Sequence, residues 1–283
     1  QRVYSHVLGI PSFGDPETET SRVEKAVVAQ LCELYPTATF EELLQARLTA
    51  YIDSCDPDEE LLQQYDQYTS SLHSRGRRFH QMFLNALSEH LSSPHHGVAL
   101  DVGCGTGAGA AAMAPDFEHV VALDIKMSSL IVAKKLVESQ GLSNVTFVQA
   151  SATQMPLCDR FFDYVGAINV LEHIFEPAVM LQEVHRVLAK AGVFAGDSRN
   201  RFDLFFPEPH VKLRCVGFLP RRWMAPYAHW RRGVSYETTH LLSYSDLHRA
   251  LRTVFEDEGW KIVMPNVSAY GFPNWLESSL AGI

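Results

Sequence analysis

The run VALDVGCGTGAGAAAMAP, residues 98–115, decides how the rest of the chain reads. It begins as an apolar strand that stops at Asp101, continues through Gly103, Gly105 and Gly107 at alternate positions, and then opens an alanine-rich helix. Glycine permits the tight turn and lets a ligand lie against bare backbone. The helix that follows turns its free N–H groups and positive dipole end to the same place, which suits a phosphate or a carboxylate. One strand later VVALDI, residues 120–125, ends at Asp124, where a carboxylate can accept two hydrogen bonds from ribose hydroxyls. Turn chemistry alone can produce either feature. Their succession as strand, glycine loop, helix, strand and acid points to a nucleoside cofactor.

Spacing does not select the nucleoside, because Gly105, Gly107 and Ala110 also satisfy the dinucleotide fingerprint GxGxx(G/A). Charge does. A carboxylate at Asp101, just ahead of the loop, repels a pyrophosphate but suits a cofactor with an ammonium and a sulfonium. S-adenosylmethionine carries both, and its carboxylate can sit on the helix N-terminus.

Outward from this loop, apolar runs alternate with helical segments: VTFVQA at 145–150, FDYVGAIN at 162–169 and VFAGD at 193–197. That alternation predicts an α/β fold with a parallel sheet and crossover helices from about residue 96 to 283. Residues 1–95 instead show apolar and charged residues at helical spacing, as in SRVEKAVVAQLCELYP and TFEELLQARLTAYIDS. Thr39, with Glu41 and Glu42 behind it, is a capped helix start. The expectation is an all-helical N-terminal cap, joined through the linker SSPHHG at 92–97.

The runs LDVGCGTG, ALDI, FVQASATQMPL, FDYVGAINVLEHIFEP and EVHRVLAKAGVF, in that order over residues 98–198, resemble the successive motifs of class I S-adenosylmethionine-dependent methyltransferases. The resemblance implies a Rossmann-like, mostly parallel seven-stranded sheet with helices on both faces. It implies that Asp101, Gly103, Cys104, Gly105 and Gly107 hold the methionine part and that Asp124 and Ile125 hold the ribose side. Ser151, Ala152 and Thr153 would line the adenine, and Asn169 would end the fourth parallel strand beside the methyl group. Where the family commonly has aspartate, this chain has Ser151, which can accept a hydrogen bond from the adenine amino group without charge assistance. The strand end AINV also lacks the Asn/Asp-Pro-Pro-aromatic pattern of nucleobase and amide nitrogen methylation.

Methyl transfer from a sulfonium needs positioning and removal of an acceptor proton. His173, in LEHI after the fourth parallel strand, is the first candidate base, because a neutral imidazole takes a proton near pH 7. Its alternative role is to cap or pack under the following helix. Some relatives with an ExxEH run bind a divalent metal here, but Asn169 stands in the first acid's place, so no metal is expected. His185 and Arg186 read as a solvated helix face.

Residues 199–240, after the fifth strand, form an insert rich in Phe, Trp, Tyr and Pro, expected to be a lid over the open ends of the strands. Arg199, Arg201, Lys212, Arg214, Arg221, Arg222, Arg231 and Arg232 outweigh Asp203, Glu208 and Glu237, a net +5. This favours an anionic acceptor with an apolar or aromatic body, unless the arginines only solvate a loop. His210, His229 and His240 are further bases. From the N-terminal cap, Tyr65 or Tyr68 could cover the sulfonium and Arg78 could reach the cofactor carboxylate.

Composition sets the outer limits. The chain has 283 residues, 46% hydrophobic, and a net charge of −9, which opposes attraction to nucleic acid and anionic membranes. It has no apolar run near the ~18 residues that cross a bilayer. Five cysteines without a CxxC pair fit a reducing, cytoplasm-like compartment. The start at Gln1 leaves a removed leader open. The expectation is S-adenosylmethionine-dependent O- or N-methylation of a small molecule, with S-adenosylhomocysteine as product and no nucleic-acid or membrane partner. The alternatives are a nicotinamide-dependent oxidoreductase and a nucleoside-binding protein without turnover. The acceptor and the oligomeric state stay open.

Overall fold

Side chains alternate along the apolar runs and sort the core into two layers, one on each face of a sheet. The computed structural model describes residues 5–13, 22–52, 97–203, 207–208, 210–233, 236, 239–255 and 259. Val98–Val102 (β3), His119–Asp124 (β4), Val145–Gln149 (β5), Phe162–Ala167 (β6) and Leu188–Gly196 (β7) pair in parallel in the order β5-β4-β3-β6-β7. Ala99, Ala122, Phe147 and Tyr164 enter one apolar cluster. Leu100, Leu123, Val148 and Val165 enter the other. Both faces are buried, which explains why these strands read as continuous apolar runs.

The first face is covered by Arg22–Leu34 (α1), Phe40–Ile52 (α2), Ala108–Met113 (α3) and Met127–Ser139 (α4), the second by Pro177–Val187 (α5) and Tyr244–Phe255 (α7). Between β7 and α7 lies the insert, with Arg221–Arg232 (α6) and a small core of its own that includes Val211, Val216, Met224, Ala228 and Tyr236. Chain order reverses between β3 and β6, so the crevice at their carboxyl ends is the topological switch point where ligands of such sheets bind.

Two expectations are corrected. The N-terminal stretch is not all helical: Ser5–Val7 (β1) and Ile10–Ser12 (β2) form an antiparallel hairpin through a two-residue turn with Leu8 at φ 51° and Gly9 at φ 78°. β2 then joins β5 in parallel, completing seven strands. Strands of three residues carry too little periodicity to stand out in sequence. Arg186 is not merely solvated. It donates to Glu183 and Asp159 and to the carbonyls of Met155 and Leu157, so its planar fork fastens α5 to the segment after β5. The capping box at α2 forms as expected, with Glu42 N–H donating to Thr39 Oγ1 at 3.2 Å and Thr39 N–H to Glu42 Oε2 at 2.7 Å. Tyr65, Tyr68 and Arg78 lie outside the described residues.

α1 and α2 are tied to the start of α4 by a buried polar cluster. Glu24, 4% exposed, accepts from Ser128 N–H at 2.9 Å, from Ser128 Oγ–H and from the Tyr51 hydroxyl. Arg47 donates to the hydroxyls of Ser128 and Ser129. A carboxylate at this end also complements the helix dipole.

Gly107 is where α3 and α4 approach most tightly. Its φ is +87°, and a Cβ there would stand 2.7 Å from Ala133 Cβ and 2.9 Å from Ala133 Cα. Gly107→Ala should therefore cost about 2–4 kcal/mol, from left-handed strain and overpacking together, read as a lower urea midpoint. A loss below about 0.5 kcal/mol would contradict this packing.

Candidate cofactor and active site

The glycine loop is shaped by hydrogen bonds from the neighbouring strand. Gly103 N–H and Cys104 N–H both donate to Leu123 C=O, at 2.7 and 3.0 Å. Gly103 and Gly105 have φ of +68° and +53°. A Cβ on Gly103 would stand 2.5 Å from Val170 Cγ2, whereas one on Gly105 would meet nothing within 4 Å. Gly103 is thus required by packing. Gly105 leaves bare backbone facing open space.

Asp124 closes the loop. Its Oδ2 accepts Gly105 N–H at 2.9 Å and its Oδ1 accepts Lys126 N–H at 2.8 Å, joining the loop to the start of α4. A carboxylate has about four acceptor positions, so each oxygen keeps one for a further donor. Burial raises its pKa, opposed by these N–H groups and by the charges of Arg47 and Lys126. Ile125, next in chain, is an apolar residue left 41% exposed.

Asp101 is 3% exposed, and its Oδ2 has no hydrogen-bond partner. Burial pushes its pKa up to about 7, against a hydrogen bond from the Ala110 backbone, with Asp124 adding to the rise. A buried carboxyl left short of a partner is a place for a cationic ligand group, which would pay part of its desolvation. Cys104 is also buried, and burial beside Asp124 and Asp101 raises its thiol well above the usual range, away from nucleophilic use.

After β5, Ser151 Oγ and Thr153 Oγ1 are 2.8 Å apart, and Thr153 N–H donates to Ser151 Oγ at 3.3 Å. Ala150 N–H donates to Asp124 C=O, which sets this turn beside the ribose-side acid. Ala152 is buried. Asn169, past the end of β6, has φ +53° and donates its N–H to Asp197 Oδ1 at 2.6 Å.

His173 and His210 come from distant parts of the sequence and meet here. Their Nε2 atoms are 3.2 Å apart and their rings stand at 90°. Glu208, 7% exposed, holds His210 from behind: its Oε1 is 2.5 Å from His210 Nδ1, and its Oε2 accepts the N–H groups of His210 and Val211. Under the pair, Glu172 is 1% exposed with Oε2 unpartnered. Its pKa is pushed up to about 7, chiefly by burial and also by Asp197 and Glu208, against its own backbone N–H and His210. His240 donates its N–H to Glu172 C=O, and its ring lies 5.1 Å from that of Phe175, which is 80% exposed. His229 lies on the exposed side of α6.

Sequence reasoning missed Glu208, Glu172 and Asp197 as parts of this cluster. Glu208 two residues before His210 was the available signal, since that spacing lets one carboxylate hold both the backbone and the ring of a following histidine. Three arginines of the insert are engaged elsewhere: Arg199 with Asp203, Arg201 with the carbonyls of Gly217 and Leu219, and Arg221 with Asp246. Among the described residues no group of three or more His, Cys, Asp or Glu could hold a metal ion. No helix there is long and apolar enough to cross a membrane.

Residues 100–196 match the family described as "Methyltransferase domain". The demethylmenaquinone methyltransferase of Geobacillus kaustophilus is 37% identical over 99 residues, 34% of this chain and 42% of that protein. Ajmaline N-methyltransferase of Rauvolfia serpentina is 30% identical over 139 residues, 46% of this chain and 48% of that protein. The match thus spans less than half the length of these relatives. The solved structure of the YcgJ protein of Bacillus subtilis overlays with a TM-score of 0.46 at 20% identity, covering 69% of this chain and 80% of that one. The loop after β3, the acid ending β4 and the strand order accompany that match: residues 100–196 of this chain are similar to the methyltransferase domain family.

Proposed function

We propose that the chain transfers the methyl group of S-adenosylmethionine to an oxygen or nitrogen atom of a small-molecule acceptor. The observation that carries this reading is the pair of carboxylates bracketing the glycine loop, Asp101 buried and Asp124 half-buried. Asp124 keeps acceptor positions for two ribose hydroxyls, and Asp101, whose Oδ2 has no partner, supplies negative charge where ammonium and sulfonium would lie. The same charge disfavours a pyrophosphate and hence a nicotinamide dinucleotide. The bound cofactor would supply the activated methyl group. Gly103, Cys104, Gly105 and Gly107 would hold its methionine part, Ile125 the ribose side, Ser151, Ala152 and Thr153 its adenine, and Asn169 the region of the methyl group.

His173 and His210 would take the acceptor's proton. With Glu208 holding Nδ1–H of His210, the Nε2 of His210 is free to accept from Nε2–H of His173, so a proton arriving on His173 can be passed inward and its charge stabilised by Glu208. Phe175, exposed beside His240 two residues after His173, favours an acceptor with an apolar or aromatic body. An anionic acceptor gains no support from Arg199, Arg201 and Arg221, which are already paired.

Incubation with methyl-labelled S-adenosylmethionine and a panel of phenols, amines and quinols should give a product heavier by one methyl group, read by mass spectrometry. Tight S-adenosylhomocysteine binding with no transfer across the panel would overturn the catalytic reading. Asp124→Ala should weaken S-adenosylhomocysteine binding by about 1–3 kcal/mol while the fold survives, because two hydroxyls lose a charged acceptor. Unchanged affinity would remove Asp124 from the site.

Two further outcomes concern protons. Asp101 is raised to about 7, so it is mostly neutral at pH 6 and mostly ionised at pH 8. Affinity for cationic S-adenosylmethionine should rise about three- to tenfold across that window in calorimetry and stay flat in Asp101→Asn. A profile that falls with pH would contradict the assignment. His173→Ala should lower kcat by about 10²–10⁴ with little change in cofactor affinity, and Glu208→Gln should lower kcat less while shifting its pH profile. A loss below tenfold for His173→Ala would make that histidine structural.

A further inference from the structure

The helix α6 buries Met224 and Ala228 in the lid core and leaves its opposite side to solvent. At 100° per residue, Trp223 and Trp230 fall within about 20° of one another around the helix, with Pro226 beside them. Trp223 is 56% exposed and Trp230 is 76% exposed. Arg222 lies about 90° to one side of this stripe and Arg231 about 90° to the other, both exposed, and the Arg231 guanidinium stands 5.6 Å from the Trp230 ring centroid. Just before the helix, Phe218 is 49% exposed and its ring is 5.2 Å from that of Phe202, which is 43% exposed.

Charge is as one-sided as the aromatic content. From residue 209 to residue 236 the sequence has no Asp or Glu, while it carries Lys212, Arg214, Arg221, Arg222, Arg231 and Arg232, in a chain whose net charge is −9. Two exposed tryptophans flanked on both sides by arginines are costly to leave in water, and scattered surface residues do not produce that order. Indole rings settle at the headgroup level of a bilayer, where the apolar body is buried and the N–H stays wet, and flanking arginines reach anionic headgroups. An aromatic stripe between basic flanks, on a helix lying along a surface, is the anatomy of an interfacial helix.

We infer that this face of α6 docks the protein on an anionic lipid surface. The net charge of the whole chain opposes membrane contact, but screening limits that repulsion to about 10 Å at 0.1 M salt, so the local basic face governs the final approach. The docking is peripheral and places the lid, with Glu208 and His210 within it, beside the bilayer. It does not depend on the methyl-transfer reading, since none of its residues is among the cofactor or proton-transfer groups named above.

The test is co-sedimentation of the full chain with vesicles of phosphatidylcholine alone and of phosphatidylcholine with about one-third phosphatidylglycerol. The wild type should sediment with the anionic vesicles only, with a blue shift of tryptophan emission and release at 0.5 M salt. Trp223→Ala/Trp230→Ala and Arg222→Glu/Arg231→Glu should each reduce binding by about tenfold or more, with unchanged circular dichroism and S-adenosylhomocysteine affinity. A double variant that loses its fold is replaced by Trp230→Ala alone, the more exposed ring, which should still reduce binding several-fold. No sedimentation of the wild type with anionic vesicles, binding equal to wild type in the variants, or capture of a single-stranded oligonucleotide in preference to vesicles would overturn the inference.

Discussion

The Asp124 carboxylate is the constraint on which the site depends. By accepting Gly105 N–H and Lys126 N–H it links the turn after β3 to the helix after β4. Gly103 and Gly107 donate to backbone carbonyls, whereas the Gly105 amide is bonded by the Asp124 side chain. The start of α4 is held a second time from below, by Glu24 and Arg47 at Ser128 and Ser129. The N-terminal helices therefore act on the cofactor side through α4, in one core with it.

At the other end of the crevice a second carboxylate organises the lid. Glu208 accepts two backbone N–H groups and holds the His210 ring, so the loop conformation and the direction of His210 Nε2 are set by one buried group. The partner histidine, His173, sits on a single turn of 3-10 helix just past β6, at the switch point of the sheet. The strained Asn169 that leads into this turn is held by Asp197, which connects β7 to the same place. Strain of this kind persists where surrounding bonds over-determine the backbone, and such places cluster at functional sites.

The parallel sheet was legible because its central strands are buried on both faces and read as apolar runs, and because the glycine loop permits few alternatives to a turn. The positions of Asp101 and Asp124 on β3 and β4 and of Gly105 in the turn were legible for the same reason, since local neighbours in sequence set them. The β1–β2 hairpin was not, since three-residue strands have no period to detect and their partner, β5, lies more than a hundred residues away. His173 and His210 could each be singled out in sequence, but their contact, and the position of Glu208 behind them, depend on how the insert after β7 packs. Arg186 was misread because helical periodicity shows which face is polar and is silent on what lies against it.

The central claim is that the carboxyl ends of β3 and β4, beside the switch-point crevice, are built for a nucleoside carrying a positive charge next to its sugar. Isothermal titration of the full chain with S-adenosylmethionine, S-adenosylhomocysteine and NAD in the same buffer tests this most directly. The account predicts saturable one-to-one binding of the two sulfur nucleosides, mutually competitive, and no binding of NAD. Saturable NAD binding that displaces S-adenosylhomocysteine, with neither sulfur nucleoside bound more tightly, would contradict it.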